Sequence, residues 1–163
     1  MDEKRIQKIQ EIFLEAAVGF PQIRLGYLFG SRAGGLDGPV SDWDMAVLAD
    51  RGAANPDLRS CLTVQLAKRL EGGKIDLILL NTAPVELAFS VISTGEILYE
   101  RDVATRVDYE ARVMGLYFDY LPVLRDQRRD ILQGEDYAAR VHRYRKTLGR
   151  TIGSLGQIGT FSE

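Results

Sequence analysis

Residues 25–48 of the chain read LGYLFGSRAGGLDGPVSDWDMAVL. Apolar runs stand at both ends, and a glycine-rich segment separates them, which is the pattern of two strands joined by a loop. Gly30 and Ser31 follow the first run directly, while Asp42 and Asp44 open the second run with one residue between them. Because side chains alternate along a strand, the two carboxylates are predicted to lie on one face.

This pair of carboxylates predicts a metal site. Two carboxylates so close together repel each other where water is excluded. A divalent cation removes the conflict, and Mg²⁺ typically takes one or two protein carboxylates together with substrate phosphates. The turn at Gly30 and Ser31 offers backbone N–H groups and a hydroxyl to such phosphates. The alternative, that Asp42 and Asp44 are turn and cap residues, leaves a carboxylate inside each of two predicted strands unexplained.

The spacing of this segment is Gly30-Ser31, then residues 32–41, then Asp42-x-Asp44. It resembles the signature of the DNA polymerase β-like nucleotidyltransferase superfamily. The resemblance implies a third carboxylate on a nearby strand, and the apolar run at residues 74–80, KIDLILL, supplies Asp76. A carboxylate in such a strand is costly unless it is paired or metal-bound.

The predicted roles follow from this chemistry. Asp42, Asp44 and Asp76 are the predicted catalytic residues and the predicted ligands of Mg²⁺ or Mn²⁺. Asp76 either completes a second metal site or takes a proton from the attacking hydroxyl. Gly30, Ser31 and Arg32 are the predicted nucleotide-binding residues, with Arg32 offsetting charge on the leaving pyrophosphate.

The composition favours one globular domain. The chain has 163 residues, of which 45% are hydrophobic, and its net charge of −2 does not indicate a nucleic-acid-binding protein. The charge is uneven, since residues 125–150 hold eight Arg or Lys and four Asp or Glu, a net charge of +4. Cys61 is the single cysteine, which excludes an intramolecular disulfide and fits a cytoplasmic protein. No apolar stretch approaches the ~20 residues that span a membrane.

The order of predicted elements is helix, strand, short helix, strand, helix, strand, helix, edge strand and long helix. Asp57 is the expected cap of the second long helical segment, and Pro122 is expected to kink or interrupt the last helix. Trp43 is predicted to pack in the core because it points away from the two acids. The predicted bounds are residues 3–18, 24–29, 31–33, 43–49, 58–71, 74–80, a helix from residue 84, 97–99 and 103–132.

The short length of the chain favours the smallest members of this superfamily, because few residues remain after Asp76 for a second substrate-binding domain. The chain resembles the minimal nucleotidyltransferase (MNT), MntA-like antitoxins of HEPN/MNT toxin–antitoxin modules, over about residues 25–99 and the tyrosine-rich helix after them. This resemblance implies an α+β (α/β) nucleotidyltransferase fold, a small mixed β-sheet packed by helices, with a C-terminal helical extension. We expect a nucleotidyltransferase domain over residues 1–134 and a basic tail over residues 135–163.

The resemblance also implies an activity. Such antitoxins resemble enzymes that move AMP from ATP to a tyrosine of a HEPN ribonuclease toxin, so ATP and the toxin are the expected partners. Residues 109–120 and the basic residues 140–146 are the predicted docking surface. Two alternatives stay open at this point. One is a small-molecule nucleotidyltransferase of the aminoglycoside-modifying kind, and the other is an antitoxin that acts by binding alone.

Overall fold

The structure, a computed structural model, describes residues 3–33, 42–70 and 74–132. The chain divides into two compact units, residues 1–118 and residues 119–163. The predicted domain boundary at residue 134 and the basic residues 140–146 lie outside the described residues. Among the residues described, no helix combines the length and apolar character needed to cross a membrane.

The first unit is built on a mixed sheet of four strands, which confirms the predicted fold class. The strands are β1 (Ile23–Phe29), β2 (Trp43–Ala49), β3 (Ile75–Leu79) and β4 (Glu96–Glu100). Their order across the sheet is β3-β2-β1-β4. The strand β1 pairs antiparallel with both β2 and β4, whereas β2 and β3 are parallel. The parallel pair needs a crossover connection, and the helix Pro56–Ala67 provides it.

The described residues also form five helices. They are α1 (Glu3–Ala17), α2 (Gly30–Ala33), α3 (Pro56–Ala67), α4 (Val85–Thr94) and α5 (Val103–Leu132). The predicted element order is therefore confirmed, with ends that differ by a few residues.

The core consists of two apolar clusters, one on each face of the sheet. Alternate residues of β2 face opposite clusters, as the period of a strand requires. The first cluster joins the sheet to α1 and α3 and includes Phe13, Met45, Val47, Leu62 and Leu66. The second joins the sheet to α4 and the start of α5 and includes Leu25, Tyr27, Ala46, Val91 and Val113. The sheet is thus the middle of three layers.

The predicted cap of α3 is wrong, and so is an interruption of the last helix at Pro122, whereas the kink expected at Pro122 stays a prediction. The cap of α3 is Asn55 rather than Asp57, since the Asn55 side chain accepts a hydrogen bond from the Leu58 backbone N–H at 2.9 Å. Pro56 occupies the first helical position, where its missing N–H is harmless, and this moves the helix start two residues earlier. Pro122 does not interrupt α5, which runs as one helix from Val103 to Leu132.

Candidate active site

The first strand ends in a turn that only glycine accommodates. Gly30 has φ of +74°, in the left-handed region that L side chains rarely adopt. A Cβ on Gly30 would also collide with the carboxylate of Asp44. The turn backbone and this carboxylate are therefore in close contact, and the absence of a side chain at residue 30 is what allows it.

Strand register brings the three predicted acids to the same end of the sheet. Asp44 lies opposite Phe29 of β1 on one side and opposite Asp76 of β3 on the other. Neighbouring strands are ~4.8 Å apart, so the Asp44 and Asp76 side chains emerge close together. Asp42 directly precedes β2 and is exposed. The site thus combines the Gly30 turn with three carboxylates, as the sequence predicts.

The exposure of Asp76 differs from the expectation for a carboxylate in an apolar strand. Asp76 is exposed, although it belongs to an apolar strand. The argument that its carboxylate is costly to keep there is therefore wrong, because solvent reaches it at the end of the sheet. Asp44 is the carboxylate that is partly buried, between the two others.

The electrostatics of the cluster centre on Asp44. Burial raises the pKa of the Asp44 carboxyl, the neighbouring Asp76 and Asp42 carboxylates raise it further, and Arg32 partly opposes them. The protein therefore gathers negative charge around a group that it desolvates. Bringing a cation to this end of the sheet lowers the free energy of the ionised state.

These side chains fit a magnesium site made with substrate phosphates better than a complete protein cage. Among the side chains described, no group of three or more His, Cys, Asp or Glu residues is arranged to hold a metal ion. Mg²⁺ needs no such cage, because it commonly binds through one or two carboxylates and takes its remaining ligands from water and phosphate. Asp42 and Asp44 supply hard oxygen donors of that number and kind.

Arg32 occupies a position that the sequence did not indicate. Its side chain is only 6% exposed, and its guanidinium carbon lies 3.9 Å from the centre of the Trp43 ring. Its Nε donates a hydrogen bond to the backbone oxygen of Asp42 at 2.9 Å. Arg32 therefore ties the short helix α2 to the residue that begins the acid pair.

Trp43 is 6% exposed and belongs to the cluster that contacts α1 and α3, which confirms its predicted packing. Arg5 of α1 also lies over this ring, at 5.8 Å from its centre. No local spacing signals these contacts, since the partners come from α1, α2 and β2. The position of Trp43 between the two acids predicts that its ring is buried. It does not predict that Arg32 and Arg5 contact the ring.

A mixed sheet whose first strand turns at glycine onto carboxylates of the next strand defines a nucleotidyltransferase. Residues 7–104 match the model of the family described as Polymerase beta, Nucleotidyltransferase. The chain is also 30% identical over 117 residues to the Protein adenylyltransferase MntA of Aphanizomenon flos-aquae, a match that covers 67% of this chain and 78% of that protein. The chain belongs to the polymerase beta nucleotidyltransferase family and, within it, to the MntA-like proteins.

Solved structures show the same fold. One similar chain comes from a crystal structure of a toxin–antitoxin with AMP-PNP, with 26% identity, a TM-score of 0.65, and coverage of 76% of this chain and 98% of that one. Another comes from a complex of a tri-AMPylated Shewanella oneidensis HEPN toxin with an MNT antitoxin, with 24% identity and a TM-score of 0.62. That match covers 78% of this chain and 98% of the other, and it supports the fold alone.

Proposed function

We propose that this protein is an antitoxin adenylyltransferase that transfers AMP from ATP to a tyrosine of a cognate HEPN ribonuclease toxin. The observation that carries the proposal is the contact between the Gly30 turn and the Asp44 carboxylate, with Asp76 beside it in the sheet. This arrangement supports a role for the turn backbone in phosphate binding and for the neighbouring carboxylate oxygens in metal binding. The 30% identity to a protein adenylyltransferase supports AMP as the transferred group and a protein as the acceptor.

The proposed reaction is an in-line substitution at the α-phosphorus of ATP. The tyrosine oxygen of the toxin forms a bond to that phosphorus, and the bond from the α-phosphorus to the oxygen bridging it to the β-phosphorus breaks. The products are an AMP–tyrosine phosphodiester and pyrophosphate. The tyrosine hydroxyl has an ordinary pKa of ~10, so its proton must be removed as the bond forms.

The turn residues bind the triphosphate in this proposal. The backbone N–H groups that follow Gly30 and the exposed Ser31 hydroxyl donate hydrogen bonds to phosphate oxygens. Arg32 stays the predicted counter-charge for the pyrophosphate. Its hydrogen bond to the Asp42 backbone gives it a second role as a positioning residue, which holds Asp42 at the start of β2.

The three acids have different proposed roles. Asp42 and Asp44 would hold Mg²⁺ or Mn²⁺, which neutralises phosphate charge and polarises the α-phosphate. Asp76 is the exposed carboxylate next to them, so an incoming hydroxyl reaches it without displacing protein. Asp76 therefore accepts the tyrosine proton or contributes to a second metal site.

The toxin completes the site in this proposal. A toxin docked beside the exposed acids would exclude water and present its tyrosine. Residues 109–120 stay the predicted docking helix. In it, Tyr117 stacks on Phe89 with ring centres 3.8 Å apart, whereas Phe118 is 58% exposed and available to a partner. Met114, one helical turn before Phe118, is also exposed, and contiguous exposed apolar surface is typical of a protein-interaction site.

Intact-mass spectrometry tests the proposal directly. The chain is incubated with ATP, Mg²⁺ and the product of the adjacent reading frame, and that product should gain the mass of one or more adenylyl groups. The Asp44→Asn variant should give no mass gain, whereas Asp57→Asn, which changes an exposed acid outside the site, should behave as the wild type. An unmodified partner together with an adenylylated aminoglycoside in the same assay would select the small-molecule enzyme. Toxin inhibition by Asp44→Asn without mass gain would select inhibition by binding alone.

A further inference from the structure

A cavity of about 620 Å³ lies at one end of the sheet. The three acids of the candidate active site lie at the opposite end. The floor of the cavity is the end of β2 with the residues that follow β3, and one wall is the first part of α5. All of its lining residues belong to the first unit of the chain. Asp44 and Ala49 stand at opposite ends of β2, five residues or roughly 16 Å apart. The cavity is therefore separate from the candidate active site.

The cavity has an excess of positive charge. Arg24, Arg51 and Arg112 line it, with Asp108 as the single acidic residue of the lining. Arg24 is held in place, since its Nη2 donates to the Thr105 hydroxyl at 2.8 Å and its Nε is 3.7 Å from an Asp50 oxygen. Neither Arg51 nor Arg112 forms an ion pair with any residue that the structure describes. Two guanidinium groups are thus available to a ligand.

Two buried polar atoms at this cavity have no hydrogen-bond partner among the described residues. They are the Tyr109 hydroxyl and the Arg24 Nε. A buried donor without an acceptor destabilises the protein, and a ligand oxygen would remove that cost. Burial raises the pKa of the Tyr109 hydroxyl to about 12, so the group keeps its proton and remains a donor at neutral pH.

Part of the remaining lining is apolar, and Asn81 and Thr105 are polar residues held by hydrogen bonds. Leu48, Leu80 and Val113 are buried core residues that form part of the wall. Asn81 closes the end of β2, because its amide donates to the Ala49 backbone oxygen at 2.9 Å and accepts from the Ala49 N–H at 3.0 Å. The cavity is thus a preformed space with cations at its opening and apolar side chains beside them.

We propose that this cavity binds an organic phosphate monoester, up to the size of a nucleotide. Its volume falls within the ~300–1,000 Å³ that is usual for small-molecule sites. Arg51 and Arg112 have no ion pair among the described residues, and they outweigh the single charge of Asp108, so the cavity attracts an anion. A planar guanidinium group pairs in bidentate fashion with phosphate oxygens. With the Tyr109 hydroxyl, three donor groups line the cavity besides the ion-paired Arg24, which suits a phosphate with three terminal oxygens better than a carboxylate with two. The apolar wall accommodates the organic part.

The test is a titration of the full-length ¹⁵N-labelled chain with phenyl phosphate, followed by NMR. The amide signals of Asn81, Tyr109 and Arg112 should shift in a saturable way, while those of Gly30 and Asp44 should stay in place. Shifts confined to Gly30 and Asp44 would overturn the proposal, because they would place the ligand in the active site.

Substitutions of the cavity residues test which side chains bind phenyl phosphate. Arg51→Gln and Arg112→Gln should each weaken phenyl phosphate binding at least fivefold. Arg59→Gln, a matched change of an exposed arginine on α3 outside the cavity, should leave the affinity unchanged. Tyr109→Phe should weaken binding without lowering the midpoint of thermal unfolding, since it removes a hydroxyl that has no partner among the described residues. Unchanged affinity in the Arg51→Gln/Arg112→Gln double variant would overturn the proposal.

Two further probes separate the possible ligand chemistries. Benzoate carries the same ring with a carboxylate, and it should bind at least tenfold more weakly than phenyl phosphate. Benzoate that bound as tightly would overturn the assignment to phosphate and favour an acidic side chain of a partner. Inorganic phosphate should also bind more weakly, because it does not use the apolar wall. Equal affinity for inorganic phosphate would overturn the organic part of the proposal.

Discussion

At the scale of single residues, Gly30 has the most closely defined environment in the site. Its backbone requires a positive φ, and its missing side chain leaves the space that the Asp44 carboxylate occupies. Gly52 provides a natural comparison, because it has φ of +87° with nothing within 4 Å of the position of a Cβ. Substitutions of the two glycines therefore separate the effect of backbone strain from the effect of displacing the Asp44 carboxylate.

We predict that Gly30→Ala and Gly52→Ala both lower the free energy of unfolding, by about 1–2 kcal/mol for a left-handed alanine. Only Gly30→Ala should also reduce AMP transfer, by at least tenfold, because its Cβ displaces Asp44. Thermal unfolding and the mass assay measure the two effects. Equal transfer rates for the two folded variants would contradict the close contact between the turn and Asp44.

The acid pair should be essential to chemistry. Asp42→Asn and Asp44→Asn each remove a negatively charged oxygen ligand while preserving the size of the side chain. We expect AMP transfer to fall by roughly 10²–10⁴, which corresponds to several kcal/mol of transition-state stabilisation. The unfolding midpoint should not fall, since replacing one of several repelling carboxylates does not weaken the fold. Near-normal transfer by either variant would remove that residue from the metal site.

Asp76 should act in the chemical step more than in nucleotide binding. Asp76→Asn is expected to reduce transfer strongly while changing the affinity for MgATP by less than about tenfold, or ~1.4 kcal/mol. Calorimetry measures the affinity, and mass spectrometry measures the transfer. A variant that loses both equally would assign Asp76 to nucleotide binding instead.

At the scale of secondary-structure elements, the start of α5 depends on Asp102. Its carboxylate accepts hydrogen bonds from the Thr105 backbone N–H at 2.7 Å and from the Thr105 hydroxyl at 2.8 Å. These bonds, the backbone bond first, lower the pKa of the Asp102 carboxyl. Asp102 is thus the N-cap of α5, the helix that forms one wall of the cavity lined by Arg24, Arg51 and Arg112.

We predict that Asp102→Ala lowers the unfolding midpoint by roughly 2–4 °C, the size typical of a lost helix cap in a chain of this length. Asp102→Asn should stay close to the wild type at neutral pH, since asparagine is an equally good cap. The pKa of Asp102 is lower in the folded state, so its ionised form stabilises the fold above its unfolded pKa of ~3.9. That contribution is lost as the pH falls through the folded pKa.

The pH dependence supplies the control for this prediction. Unfolding curves of the wild type and of Asp102→Asn should converge or cross as the solution is made acidic, because only the aspartate loses its cap by protonation. A constant difference between the two from neutral pH to pH 3 would show that ionised Asp102 does not support α5.

At the scale of the whole molecule, positive and negative charge are concentrated in different parts of the sequence. The net charge of +4 on residues 125–150 leaves −6 on the remainder, although the total is only −2. A chain divided in this way associates with a partner through long-range attraction as well as through contacts.

We predict that association with the toxin slows as salt rises, because exposed charges are screened beyond ~8 Å at physiological ionic strength. Stopped-flow or biolayer measurements between low and high salt provide the rate. Truncation after residue 134 should reduce both the rate and its salt dependence. An association rate independent of salt would exclude the basic segment from docking.

The sequence by itself determined the element order and the acid site, because the evidence for both is local. Gly30, Asp42 and Asp44 lie within fifteen residues, and strand periodicity alone places the two acids on one face. Asp76 followed from the same periodicity together with the family resemblance. Helix ends were less certain, since Asn55 and Asp57 are both good caps and only the fold selects Asn55.

The tertiary structure decided which distant residues meet. Arg24, Arg51 and Arg112 belong to a strand, a loop and a helix, and they share a cavity because α5 packs across the end of the sheet. Arg32 stacks on Trp43 because the turn at Gly30 directs α2 back over β2. Apolar burial drives such packing, and burial is non-directional, so a sequence pattern indicates which side chains are buried but not which partners they contact.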